Sequence, residues 1–235
     1  MKDRILVALD VETRDEALRL ADVLRGSVGG FKIGSRLFTA EGPSMVRTLT
    51  ERGDRVFLDL KFHDIPNTVA TAVAAAAGLG VWMVNVHASG GTAMMRAARA
   101  AAHETAARRN VPPPLVIAVT VLTSMNQAAL RDTGVVIDLM DHVLRLAELA
   151  RDAGLDGVVA SPRETASIRA RCGESFAIVT PGIRGGAAAA TKDDQERTMS
   201  PADAVAAGAS YLVVGRPIIA AADPAQAAEA IARSL

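Results

Sequence analysis

Eight short, β-rich, nearly continuous apolar runs constrain this chain more than any other feature: Ile5–Leu9, Gly30–Ile33, Val56–Leu60, Val81–Val86, Leu115–Val121, Gly157–Ala160, Phe176–Thr180 and Tyr211–Val214. A strand with one wet face alternates apolar and polar residues. These runs do not alternate, which is the pattern of strands covered on both faces in a parallel sheet. The segments between them are rich in Ala, Leu and Arg at helical spacing. Thr13–Leu24 opens with the cap signal T-R-D-E and puts Ala17, Leu20, Ala21 and Leu24 on one face. Val135–Ala153 repeats this with Leu139, Val143, Leu146 and Ala150, and Gly154 closes it. Further helices are expected near Gly42–Arg52, Thr68–Ala77, Thr92–Arg108, Pro162–Arg171, Ala202–Ala207 and Pro224–Arg233. Eight strand–helix pairs in 235 residues predict an α/β fold, a single-domain (β/α)8 TIM barrel, with a doubly wound open sheet as the runner-up.

Charge and composition narrow the partners. With 26 basic and 26 acidic side chains, the chain has no basic surplus to attract nucleic acid or an anionic membrane. An aromatic share of 3% is too small for base-stacking platforms. The single cysteine, Cys172, has no internal disulfide partner, and the start MKDRILVALD lacks a leader pattern; both fit a reducing cytoplasm. Ile65–Val86 carries no charge and is long enough to cross a bilayer, but its alanines, Gly78, Gly80, Asn67, Thr68, Thr71 and Asn85 read instead as a helix, a turn and a buried strand.

In a barrel of this kind the reactive groups lie at the carboxyl ends of the strands. Ionisable residues stand there: Asp10, Lys32, Asp59, Lys61, His87 and Arg216. The densest cluster is L-D-L-K-F-H-D-I-P-N-T, Leu58 to Thr68. Strand alternation points Asp59 and Lys61 to one side and Leu58 and Leu60 to the other, so the charged pair faces the barrel mouth if the leucines meet helices. Burying a carboxylate and an ammonium is costly unless they pair or take part in chemistry. Lys32 reaches the same space from the next strand, and a Lys-Asp-Lys array with Asp64 nearby keeps both lysines charged. The same charges would also serve as a structural salt bridge closing the barrel end.

At the far end, V-V-G-R-P-I (Val213–Ile218) places a bare N–H at Gly215 and a guanidinium at Arg216 where a strand hands over to a helix N-terminus, an anion-binding arrangement; a plain turn with a solvated arginine is the alternative. Gly182–Arg197 reads as a lid with Gly182, Gly185 and Gly186 as hinges and Gln195 reaching the anion on closure, or as an ordinary surface loop. No spacing suggests a zinc or iron site.

Val56–Val69, V-F-L-D-L-K-F-H-D-I-P-N-T-V, resembles the signature of the orotidine 5'-phosphate decarboxylase family. The resemblance extends over A-L-D (Ala8–Asp10), F-K-I-G (Phe31–Gly34), V-H-A-S-G-G (Val86–Gly91), V-L-T-S (Val121–Ser124), P-G-I-R (Pro181–Arg184), D-D-Q (Asp193–Gln195) and V-V-G-R-P-I, in the order of the compact bacterial form. It implies decarboxylation of orotidine 5'-monophosphate to uridine 5'-monophosphate in a homodimeric barrel with shared sites and no cofactor. Lys61 would protonate C6, with Lys32, Asp59 and Asp64 completing a charged tetrad. Asp64, Ile65 and Thr68 would project into the neighbouring subunit's site. Asp10 and Lys32 would hold the ribose. Thr123 and Ser124 would meet the nucleotide and its pyrimidine edge, while Arg184, beside Pro181, would grip the phosphate with Gln195, Gly215 and Arg216. His87 lies in a family-like motif without an assigned role. Two rivals stand beside this reading: a magnesium-dependent sugar-phosphate decarboxylase or aldolase on the same barrel, and a non-catalytic sensor of a nucleotide monophosphate.

Overall fold

In the computed structural model, which describes residues 1–183 and 199–235, eight parallel strands close on themselves in the order β1 to β8. Closure through β1–β8 pairing removes the open-sheet alternative. The strands are β1 (Ile5–Ala8), β2 (Gly30–Gly34), β3 (Val56–Phe62), β4 (Met83–His87), β5 (Leu115–Val119), β6 (Gly157–Val159), β7 (Ala177–Thr180) and β8 (Tyr211–Val214). Helices α1 (Arg14–Leu24), α2 (Ser35–Glu41), α3 (Pro43–Glu51), α4 (Pro66–Gly78), α5 (Gly91–Arg109), α6 (Gln127–Asp132), α7 (Leu139–Asp152), α8 (Thr165–Cys172), α9 (Pro201–Ala206), α10 (Arg216–Ile219) and α11 (Pro224–Ser234) lie between and after them.

The absence of alternation in the strands has its cause in two apolar layers. Leu6, Ala8, Phe57, Met83, Ile117, Val179 and Val213 point inward and fill the barrel, while Ile5, Val7, Ile33, Leu58, Val84, Val116 and Ile178 point outward against the helices. At the amino-terminal end of the barrel Trp82 and Tyr211 meet edge to face at 5.1 Å, and Arg55 lies over the Trp82 ring. Filling the interior from below leaves room only at the carboxyl end of the strands, which is where the polar inward residues sit.

The helices follow the sequence signals with instructive exceptions. The Thr13 side chain accepts a hydrogen bond from the Glu16 N–H, and Ala17, Leu20, Ala21 and Leu24 are buried. The helix expected over Val135–Ala153 begins only at Leu139, because Asp138 caps it by accepting from the Met140 N–H; Val136 before it is 82% exposed. The helix expected near Gly42–Arg52 is α3, and it is preceded by α2, which sequence reading missed because that helix buries only Leu37 and shows no apolar stripe. The uncharged stretch is α4 and β4, and no helix among the described residues is long and apolar enough to cross a membrane.

Candidate active site

The strand ends surround a cavity of about 570 Å³. Asp10, Lys32, Asp59, Lys61, Thr123, Pro181, Gly215 and Arg216, all singled out from sequence, line it. Lys32 projects inward from β2 and is 8% exposed. Its Nζ lies 3.1 Å from Asp10 Oδ1 and 3.6 Å from Asp59 Oδ2. Lys61 Nζ donates to Asp59 Oδ1 at 2.7 Å. Asp59 is therefore flanked by two ammonium groups and carries the charge-paired array expected from D-x-K. Burial pushes its carboxyl up, but the charges of Lys32 and Lys61 and hydrogen bonds from Lys61 and Asn85 outweigh that cost and hold it below the ordinary carboxylate value.

Simple alternation is not what brings Asp59 and Lys61 together. Leu58 pairs with Val84 and Phe62 with Val86, so Asp59, Leu60 and Lys61 face one residue of β4, Asn85. The strand bulges there, and Lys61 takes a left-handed backbone with φ of 53°. That conformation costs a non-glycine residue about 1–2 kcal/mol. Such strain persists where the surroundings over-determine it. Here the Asn85 side-chain oxygen accepts from the Lys61 backbone N–H at 2.8 Å, and its amide nitrogen donates to Asp59 Oδ1 at 2.7 Å. Sequence reading placed Asn85 only in a buried strand; the register shift that gives it this place has no signal in V-N-V-H.

Beyond the bulge, β4 ends at His87, whose ring lies 5.5 Å from that of His63. Burial and the nearby His63 and Lys61 charges lower the His87 pKa, with Asp59 opposing. His87 does not line the cavity.

Gly215 ends the β8 turn and starts α10, which is one turn long with Pro217 in its first turn. A four-residue helix with a proline near its start offers little dipole, so the anion-binding potential of this corner rests on the Gly215 N–H and the Arg216 guanidinium rather than on a helix terminus. Arg36 also lines the cavity, from α2, and its guanidinium pairs with Glu12 Oε1 at 2.6 Å. The sequence reading missed it together with α2. Gly182 lines the cavity with φ of 79°, a backbone that favours glycine, and Ile183 bridges to Met199. Arg184, Gly185, Gly186 and Gln195 lie outside the described residues.

Four expected residues are not in this chain's cavity. Asp64, Ile65 and Thr68 belong to an exposed run from His63 to Thr68, with Ile65 66% exposed. Ser124 is exposed beside the lining residue Thr123. Among the described residues no three histidine, cysteine or carboxylate groups converge as metal ligands would.

Comparison with known proteins agrees over nearly the whole chain. The profile of the orotidine 5'-phosphate decarboxylase / HUMPS family matches residues 3–231. The chain is 56% identical over 235 residues to the orotidine 5'-phosphate decarboxylase of Moorella thermoacetica, covering all of this chain and 92% of that protein. It is 56% identical over 232 residues to that of Alkalilimnicola ehrlichii, covering 99% and 96%. The crystal structure of orotidine 5'-phosphate decarboxylase from Lactobacillus acidophilus superposes with a TM-score of 0.85 at 35% identity, covering 98% of this chain and 97% of that one.

Proposed function

Since the chain belongs to the orotidine 5'-phosphate decarboxylase / HUMPS family, we propose that it converts orotidine 5'-monophosphate to uridine 5'-monophosphate and CO₂ without a cofactor, Lys61 supplying the proton. The observation that carries this reading is the Lys61 ammonium held 2.7 Å from a charge-paired Asp59 inside a nucleotide-sized cavity.

The chemistry makes a specific demand. Breaking the C6–carboxylate bond leaves its electron pair in the plane of the pyrimidine, where the ring π system cannot spread it. Stabilisation must then come from fixed charge, and an ammonium aimed at C6 meets the pair as it forms. The Lys61 proton moves to C6, a C–H bond replaces the C–C bond, and the neutral amine recovers its proton from water. Asp59 would stand close to the departing carboxylate, where crowding of like charge favours loss of CO₂ as a neutral molecule.

Within that cavity Asp10 and Lys32 hold the ribose and Thr123 meets the base, while Ser124, exposed beside Thr123, is assigned to the pyrimidine edge by the family resemblance alone. Gly215 and Arg216, with Arg184 and Gln195, grip the phosphate; a remote phosphate grip contributes binding energy that can be realised at the reacting carbon. The exposed run carrying Asp64, Ile65 and Thr68 fits a homodimer in which these side chains complete the site of the partner subunit. A lone thiol, Cys172, pushed up by burial, suits a reducing cytoplasm.

Mixing the protein with orotidine 5'-monophosphate tests the reading directly through the fall in orotate absorbance. The wild type is expected to turn over. Lys61→Ala is expected to lose at least about 10³-fold in kcat while uridine 5'-monophosphate still binds and the thermal transition is kept. No turnover by the wild type overturns the function; unchanged turnover in the variant overturns the assigned acid.

A further inference from the structure

Asn85 is fully buried in β4 and is the residue opposite the β3 bulge. One amide spans two demands. Its oxygen takes the Lys61 N–H that the register shift pulls away from the ladder, and its nitrogen donates to Asp59 Oδ1, the same oxygen that receives Lys61 Nζ. An amide of this length carries a donor and an acceptor on one carbon; serine is shorter, and an ionised aspartate or an aliphatic side chain lacks the donor. A buried polar group placed to hold a reacting side chain and its counter-ion at once exceeds what closing a barrel requires.

We infer that Asn85 is a positioning residue, fixing the left-handed backbone of Lys61 and the orientation of Asp59 so that the ammonium points at the reacting carbon. The inference rests on the functional reading above. It concerns geometry a substrate would experience only at C6, because the ribose and phosphate contacts come from β1, β2 and the turn after β8.

Three measurements on the full-length protein decide it: kcat and KM, the Kd of uridine 5'-monophosphate, and thermal unfolding. Asn85→Ala is expected to lower kcat by about 10²-fold, the effect of small misplacement at a reacting centre, with product Kd within threefold of wild type. Asn85→Asp adds a readout that a purely structural role would not move. The introduced carboxyl would face Asp59 and Lys61, with Lys32 behind Asp59, His87 two residues along β4 and His63 against it; the neighbouring β5 residue is Ile117. Burial beside Asp59 keeps a proton on it at lower pH, and the protonated acid restores one donor and one acceptor. The ratio of variant to wild-type kcat is expected to rise at least about fivefold from pH 9 to pH 6, the ratio dividing out whatever pH dependence the two proteins share.

A kcat for Asn85→Ala within threefold of wild type overturns the inference, as does a flat ratio for Asn85→Asp with kcat and product affinity lost together. Should Asn85→Ala fail to fold, the Asn85→Asp ratio decides alone. Should the wild type not turn over, the functional reading fails instead, and crystal structures of wild type and Asn85→Ala decide the geometry. In that case an unmoved Lys61 backbone and an intact Lys61–Asp59 contact overturn the inference, while a displaced ammonium supports it.

Discussion

Gly34, the last residue of β2, shows how tightly the charged array is packed. Its backbone is extended, with φ of −94°, so any residue can adopt it; the restriction is one of space. A methyl group added there would lie 2.8 Å from Lys32 Nζ and 3.3 Å from Asp10 Oδ1. Both are ends of side chains that can swing, so Gly34→Ala is expected to fold with a stability change below about 1 kcal/mol. The Lys32 ammonium would be driven off its place between Asp10 and Asp59. We expect kcat/KM to fall at least about tenfold with the thermal transition nearly unmoved. A variant with full activity would show that the Lys32 position tolerates displacement. The legibility of the site divides along the same line. Lys32, Asp59 and Lys61 stand out in sequence because charges are rare in strands buried on both sides, and Asp10 because it follows the carboxyl end of β1. Asn85 and Arg36 do not, since one owes its role to a register shift and the other to a helix without an apolar stripe.

At the scale of elements, local signals held where cap and stripe agreed. In α1 the Thr13 cap and four buried apolar positions coincide, and the helix runs as its sequence implies. In the segment before α7 the apolar spacing continued past the cap, and the Asp138 cap won over periodicity. Strand pairing set limits that no propensity reveals. Gly157 opens β6 between β5 and β7, and a Cβ on it would lie 2.1 Å from the Ala177 carbonyl oxygen. That atom is backbone in the next strand and cannot rotate away. Gly157→Ala is therefore expected to destabilise the barrel by about 3 kcal/mol or more, the upper range for overpacked interiors, measured by denaturant unfolding. A loss below about 1 kcal/mol would mean that β6 and β7 separate more readily than a closed barrel should allow.

Across the whole molecule, the described chain assembles one part of the proposed site and leaves another outside it. Asp10, Lys32, Asp59 and Lys61 converge on one cavity, while Asp64, Ile65 and Thr68 lie on an exposed run that begins immediately after β3. Ile65, 66% exposed beside a carboxylate, would be covered if two copies paired symmetrically through this run. If two copies exchange these runs, each site takes Lys61 from one subunit and Asp64 from the other. Lys61→Ala and Asp64→Ala are then each inactive as pure dimers. A mixed dimer contains one site with both changes and one site with neither. With equal amounts and free exchange, half of the dimers are mixed, so activity is expected to return to about a quarter of the wild-type value per site. Subunit exchange is followed independently by mass spectrometry of the two chains. Exchange without recovered turnover would place Asp64 in its own subunit's chemistry, and full activity of Asp64→Ala alone would place it in none; either way the exposed run would then need a different partner.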